Sequence, residues 1–257
     1  MLIGLAAVLA LFTALWLTSL ALKNASIVDI WWGPAMLVMG LAYFAASDAT
    51  TNRSRLILVL VALWALRLAW HIGRRNVGHG EDFRYVAWRE QYGARWWWVS
   101  YLRVFVLQAM VAWIVALPLY YAVTSPAPVR LTAWDHAGVA LFIIGFAFEA
   151  IGDEQLRRFR GNPANTSRVL DTGLWRYTRH PNYFGEAVLW WGLGLIGAAT
   201  PRGYIGLVGP ALITFFLVKV SGVAMLERTL KNTKPGYAAY IATTSSFLPR
   251  PRGRGPV

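Results

Sequence analysis

The chain has 257 residues, is 57% hydrophobic and only 14% charged, and has a mean hydropathy of +0.44, which places it with membrane proteins rather than soluble modules. Its formal net charge of +13 would suit nucleic acid, but the cations follow a membrane pattern that argues for topology instead. Cysteine is absent, which excludes disulfides, thiolate nucleophiles and Cys-metal sites.

Seven apolar runs are long enough to cross a bilayer, at roughly 20 residues each: 2–22, 27–46, 55–73, 101–123, 134–152, 184–199 and 205–226. No Lys or Arg precedes Lys23, so the first run lacks the basic lead of a signal peptide and reads as an uncleaved helix with its N-terminus outside. With that orientation the inner side collects Lys23, then Arg74, Arg75, Arg84, Arg89 and Arg95. It also takes the arginines of 157–179 and the basic residues of the C-terminal segment. The outer loops hold only Arg53, Arg55, Arg130 and Arg202. This is a positive-inside bias. The expected fold is all-α and polytopic, with seven transmembrane helices and a cytoplasmic C-terminus. One integral domain covers 1–248, its cofactor-binding half is about 149–248, and 249–257 is a disordered basic tail suited to anionic lipid headgroups. Two inner loops, 74–100 and 153–183, are unusually long and polar and form the expected cytoplasmic face of a site together with 227–248.

Ionisable residues inside membrane helices are costly and usually functional. Asp29 sits near the start of the second run, beside Trp31 and Trp32, and Arg67 lies within the third. Glu149 and Asp153 are four apart and share a helix face that continues to Arg157 and Arg160; Asn182 and Glu186 share another. Structural pairing, for example of Arg67 with Asp29, is the plain alternative. The densest group is Tyr177-Thr178-Arg179-His180-Pro181-Asn182-Tyr183, where Pro181 suits the first turn of a helix. His180 and Asn182 then lie at the positive end of that helix, with Arg176 and Arg179 nearby, a setting that favours phosphate or carboxylate. Glu81-Asp82-Phe83-Arg84-Tyr85 is a second polar group, readable as a solvated loop, a cofactor contact or a clamp between loops. Tyr85 and Tyr92 could donate protons, although tyrosine is common at membrane interfaces.

Gly192-Leu193-Gly194-Leu195-Ile196-Gly197 matches the dinucleotide string G-x-G-x-x-G, but no strand precedes it and no βαβ unit surrounds it. Small residues there are better explained by close helix packing. His71, His79 and His136 are not at metal-ligand spacing from carboxylates, so no metal is expected.

The stretch Leu170–Glu186, with Glu81–Tyr85 and Ser221-Gly222-Val223-Ala224-Met225-Leu226-Glu227, resembles a bacterial membrane family related to steroid 5α-reductases, essentially over the whole chain. The resemblance implies a multi-pass membrane reductase that uses NADPH on an enone lipid. By that resemblance Asp153, Arg160 and Arg168, with Arg157 and Asn165, look like residues that hold adenine-ribose and phosphates. Asn182 and Glu186 look like the family's Asn and Glu beside the nicotinamide. Arg176, Tyr177, Arg179, His180 and Tyr183 complete the cofactor wall, and Glu227, Tyr237 and Tyr240 look like its closure from the last helix and tail. Eukaryotic relatives carry a Gln-Glu pair on the second helix and a Tyr on the third; here those helices offer Asp29 and Trp64 with Arg67. The expected catalytic residues are therefore Asp29, Tyr85 and Glu186, and Trp31, Trp32 and Trp64 are the expected wall for a flat, steroid-like lipid.

The Arg179-His180-Pro181-x-Tyr183 signature also resembles membrane methyltransferases that use S-adenosylmethionine. Those continue with a Glu-Glu pair where this chain has Leu226-Glu227-Arg228. The arginine-rich stretch 157–179 suits a pyrophosphate and 2′-phosphate better than a sulfonium cofactor. A non-enzymatic lipid-binding protein is the third reading; no inverted repeat supports transport. The partners expected are the lipid substrate and the bilayer, not nucleic acid. The cofactor supply points to a bacterial cytoplasmic membrane, and the oligomeric state is open, a monomer being compatible with the sequence.

Overall fold

The structure is a computed structural model and describes residues 1–220, 227 and 234–253. Its described residues are helical and contain no strand. The helices are α1 (Leu2–Leu22), α2 (Ile27–Ala45), α3 (Asn52–Asn76), α4 (Phe83–Val115), α5 (Leu117–Thr124), α6 (Ala133–Arg160), α7 (Pro181–Ala198), α8 (Gly203–Val220) and α9 (Tyr237–Thr243). Six of them, α1–α4, α6 and α8, are long and apolar enough to cross a membrane, so the chain is an integral multi-pass protein. The expected run at 184–199 is present as α7, but Asn182 and Glu186 in its opening turns leave it short of that apolarity. The segment Ser221–Leu226 and the cations Arg228, Lys231 and Arg254 lie outside the described residues.

The chain divides into two compact units, Met1–Asp135 with Gly194–Gly209, and His136–Leu193 with Pro210–Val257. In the first unit, α1 is apolar throughout and stops at Lys23, whose left-handed backbone (φ 52°) lets Asn24 N–H reach back to Ser19. Gly33 of α2 lets α3 approach closely: a Cβ there would stand 3.0 Å from Ala65 Cα. Thr51 caps α3 through a reciprocal pair with Ser54, at 3.1 and 2.9 Å.

Two sequence expectations change in this unit. The inner loop expected over 74–100 is mostly helix: α3 runs on to Asn76, and Asp82 caps α4 by accepting from Arg84 N–H at 3.0 Å. A polar helix from Phe83, broken at Gly93 (φ 48°), precedes the expected fourth run, and that run ends at Val115, before Pro118 in the first turn of α5. Arg53, expected in an exposed outer loop, is fully buried in the first turn of α3. Its guanidinium grips Asp135 through two bonds of 2.7 and 2.9 Å and also donates to the carbonyls of Pro128 and Arg130. Asp135 accepts further bonds from Thr132 N–H and Oγ1. A charge is tolerable inside apolar surroundings when its hydrogen-bonding groups are met in this way.

In the second unit, α6 and α7 run antiparallel along a glycine seam. Gly138, Gly145 and Gly152 recur every seven residues on α6, opposite Gly192 and Gly185 of α7. A Cβ on Gly185 would stand 2.4 Å from Glu149 N and 2.5 Å from Gly145 O; one on Gly192 would stand 2.5 Å from Gly138 O. Small residues allow this backbone contact between membrane helices. The Gly192 string is thus a packing surface, as its context in an apolar helix implied.

Gly185→Ala and Gly145→Ala should each destabilise the protein by about 1–3 kcal/mol, read as a lower Tm in detergent. Gly73→Ala is the control, since its nearest neighbour is a methyl carbon 4.0 Å away, and it should leave Tm unchanged or raise it.

Candidate functional site

The glycine seam sets the second unit's polar centre. It lays the face of α6 that carries Glu149 and Asp153 against the first turns of α7, which carry Asn182 and Glu186. Gly152 is the point of contact, because a Cβ there would stand 3.2 Å from both Asn182 N and Pro181 Cγ. Asn182 Nδ2 donates to Asp153 Oδ1 at 3.0 Å, and Asp153 is 7% exposed. The carboxylate fixes the amide orientation, since it accepts and the NH₂ alone can donate. Asn182 Oδ1 is therefore turned away from Asp153, and it is buried with no hydrogen-bond partner among the described residues. A buried acceptor left unpaired costs about 1–3 kcal/mol, which a donor reaching this amide would recover.

The lead-in to α7 is held by the C-terminal segment. Arg179 is 7% exposed, and its Nε and Nη2 both reach Glu227 Oε1 at 2.8 Å. Its Nη1 donates to the carbonyls of Ile241 and Thr244. His180 Nε2 lies 3.3 Å from the same Glu227 oxygen, and its ring stacks on Tyr183 with planes 6° apart. Arg179 N–H donates to Ser245 O, Thr178 Oγ1 to Phe247 O, and Arg250 N–H to Tyr177 O, so residues 245–250 form a strap along 177–179. The expected free tail joins this strap as far as Gly253: Arg252 pairs with Asp171 at 3.1 Å, and Gly253 N–H donates to Thr243 O. Tyr240 donates to Trp175 O, and Trp175 Nε1 donates to Gly152 O at 3.1 Å.

Burial pushes the Glu227 carboxyl up, but the bonds from His180 and Arg179 and the Arg179 charge outweigh it and hold it below the ordinary glutamate value. Burial, with the Glu227 charge, pushes the Tyr237 phenol up to about 12. Burial raises Tyr240 as well.

The arginines of 157–179 separate into two kinds. Arg179 is buried and committed. Arg157, Arg158, Arg160, Arg168 and Arg176 are exposed. Arg157 and Arg158 share Glu154 at 2.6 Å each, and Arg168 reaches only Asn165, at 3.5 Å. Asn165 itself is tied to Phe159 O at 3.0 Å. Tyr177 is exposed at the outer side of the strap.

The remaining expected residues lie in the first unit. Asp29 Oδ1 accepts from Tyr85 O–H at 2.9 Å, and its Oδ2 accepts from Arg84 Nη2 at 3.1 Å. Arg84 Nε also donates to Asp82 at 2.8 Å, and Gln108 Nε2 donates to the Tyr85 oxygen at 3.4 Å. Burial pushes Asp82 up, but the Arg84 hydrogen bonds and charge hold it below the ordinary aspartate value. The 81–85 segment clamps the start of α2: Ala25 N–H donates to Glu81, Asp82 N–H donates to Ser26 Oγ, and Arg89 grips Glu81 through two bonds of 2.9 Å. Trp31 is 41% exposed and Trp32 half-buried, while Trp64 is wholly in the core. Sequence reasoning missed Arg84 and Gln108 as partners here. The signal for Gln108 was a lone amide in an apolar run.

The Glu227 clamp has a definite pH signature. With its folded value below the ordinary one, Glu227 contributes its full stability above the ordinary glutamate range. That contribution is lost as pH falls from there through the lowered value. Glu227→Gln should therefore show a Tm deficit at neutral pH that shrinks only in that acidic window; a deficit independent of pH would contradict the clamp. Arg179→Ala, which strands the carboxylate, should cost about 3 kcal/mol or more.

A family profile described as "Protein of unknown function (DUF1295)" matches residues 15–244. An uncharacterized protein of Schizosaccharomyces pombe is 27% identical over 274 aligned residues, covering 96% of this chain and 79% of that protein. A Delta(14)-sterol reductase of Ascobolus immersus is 31% identical over 116 residues, 39% of this chain and 24% of the reductase. No solved structure matches the chain. The family match spans most of the sequence, and the chain belongs to the DUF1295 family of membrane proteins.

Proposed function

We propose that the protein is an NADPH-dependent membrane reductase of the carbon–carbon double bond in an α,β-unsaturated ketone lipid of 3-oxo-4-ene steroid type. The observation that carries this reading is the Asn182–Asp153 pair with its orphaned Oδ1. A nicotinamide carboxamide presents the N–H donor that this acceptor needs. The exposed arginines Arg157, Arg160, Arg168 and Arg176 suit the phosphates, being fork-shaped donors matched to phosphate oxygens. The partial likeness to a sterol reductase supports an oxidoreductase acting on a sterol-like lipid.

Bound NADPH supplies the hydride that a β-carbon accepts. Glu186 stands one helical turn after Asn182 and orders the same wall. Arg179, His180, Tyr183, Glu227, Tyr237 and Tyr240 keep that wall in place through the clamp rather than by presenting free charge. In the first unit, Asp29 and Arg84 fix the Tyr85 phenol, whose O–H can turn to a substrate carbonyl oxygen. Such a bond strengthens as negative charge develops on that oxygen, so it favours the transition state over the ground state. Trp31 and Trp32 offer apolar faces for a flat lipid. The cation distribution supports a cofactor face on the cytoplasmic side, with the N-terminus outside.

Vesicles bearing the protein should consume a 3-oxo-4-ene steroid only when NADPH is present. Asn182→Ala should weaken NADPH binding by roughly tenfold, beyond any Tm loss from stranding the Asp153 carboxylate. Asp29→Asn should lose turnover while keeping NADPH affinity. Unaltered NADPH affinity in Asn182→Ala would remove the amide from the site, and full activity in Asp29→Asn would remove the carboxylate from the chemistry.

A further inference from the structure

A second charged and aromatic surface lies outside both clusters, on the first half of α4. This helix is interrupted by a tight turn at Gly93–Arg95, where Gly93 takes φ 48°, and widens to a π-helix over Tyr101–Val106. The chain bends at this interruption, so that Arg103 meets the segment before it. Its guanidinium lies over the Trp88 ring at 4.7 Å and the Tyr92 ring at 5.6 Å, and Nη1 bonds Tyr92 O–H. Tyr92 in turn stacks on Trp96 with planes 17° apart. The Arg103 charge is thereby drawn out of the spanning stretch toward the turn that carries Arg95.

Arg103 and Arg95 are both exposed, and Arg95 makes no hydrogen bond or ion pair among the described residues. Arg95, Trp98 and Leu102 follow one another at helical spacing on one face, and Trp97, Trp98 and Leu102 are 57%, 42% and 53% exposed. Trp97 is anchored from behind, its carbonyl accepting from Trp16 Nε1 at 2.8 Å. Exposed indoles with arginines that turn toward one end of a spanning helix mark the headgroup level of a bilayer. Arg89, by contrast, is already neutralised by Glu81. Two exposed guanidiniums with open donors, set beside an apolar face that continues into the spanning helix, complement a negatively charged headgroup above an acyl chain.

We propose that the Arg95–Arg103 face of α4 binds the headgroup of an anionic phospholipid of the surrounding membrane. The guanidiniums take the phosphate, and Trp97, Trp98 and Leu102 lie along the acyl chain. The site is independent of the reductase reading.

The test uses the full chain purified in detergent, with Tm measured while phosphatidylglycerol, phosphatidylcholine or inorganic phosphate is added. Phosphatidylglycerol should raise Tm by clearly more than phosphatidylcholine, and inorganic phosphate should leave it unchanged. The rise should be mostly lost in Arg95→Gln/Arg103→Gln and partly lost in Arg95→Gln. Because each variant is compared with itself without lipid, any folding cost of the Arg103 change cancels. Arg95→Gln, which breaks no bond among the described residues, decides the matter if the double variant does not fold. An undiminished rise in the variants, an equal rise with phosphatidylcholine, or a rise with inorganic phosphate alone would each overturn the lipid site.

Discussion

Close contact between α6 and α7 is the constraint on which the second unit depends. Backbone meets backbone at Gly145 and Gly185, and any side chain at those positions would have to displace main-chain atoms. The contact sets the face of α6 that carries Glu149 and Asp153 against the opening turns of α7, which carry Asn182 and Glu186. In a membrane helix each of these groups is costly alone. Asn182 and Asp153 supply each other with a partner, and Asn182 Oδ1 is left, among the described residues, as a buried acceptor without one. The orphan is meaningful because the packing around it leaves little freedom to hide it.

The C-terminal strap serves the same centre from the other side. Arg179 directs its guanidinium to one carboxylate and two carbonyls, which is the arrangement of a fastener, not of a phosphate receptor awaiting ligand. The arginines around 157–176 have the opposite character, being exposed at the surface, where Arg157 and Arg158 share Glu154. The arginine-rich stretch thus divides into a buried cation that fastens the lead-in to α7 and exposed cations at the surface.

Much of this was legible in the sequence, and the exceptions have physical causes. Apolar runs found α1, α2, α3, α6 and α8, because continuous hydrophobicity is a strong signal. The start of α4 was missed because Phe83-Arg84-Tyr85-Val86-Ala87-Trp88-Arg89-Glu90-Gln91-Tyr92 is polar enough to pass for a loop. The shared face of Asp153 with its helix, the Pro181 start of α7 and the packing role of Gly192 followed from spacing and context. The Arg53–Asp135 pair joins residues 82 apart, and local sequence carries no trace of such a distant partnership. The same holds for Arg179 with Glu227, where residue types were informative but the buried geometry, and hence the structural role, was not. Trp64 was expected to line a lipid site because the bundle is rich in Trp; in the structure it is fully buried.

The most direct measurement is binding of NADPH, NADH and S-adenosylmethionine to the detergent-purified protein, each followed by thermal shift. The account predicts a large upward shift with NADPH and a smaller one with NADH, whose missing 2′-phosphate leaves the arginine rim under-used. A shift with S-adenosylmethionine and none with NADPH would contradict it and make the Asn182 amide part of a methyl-transfer site.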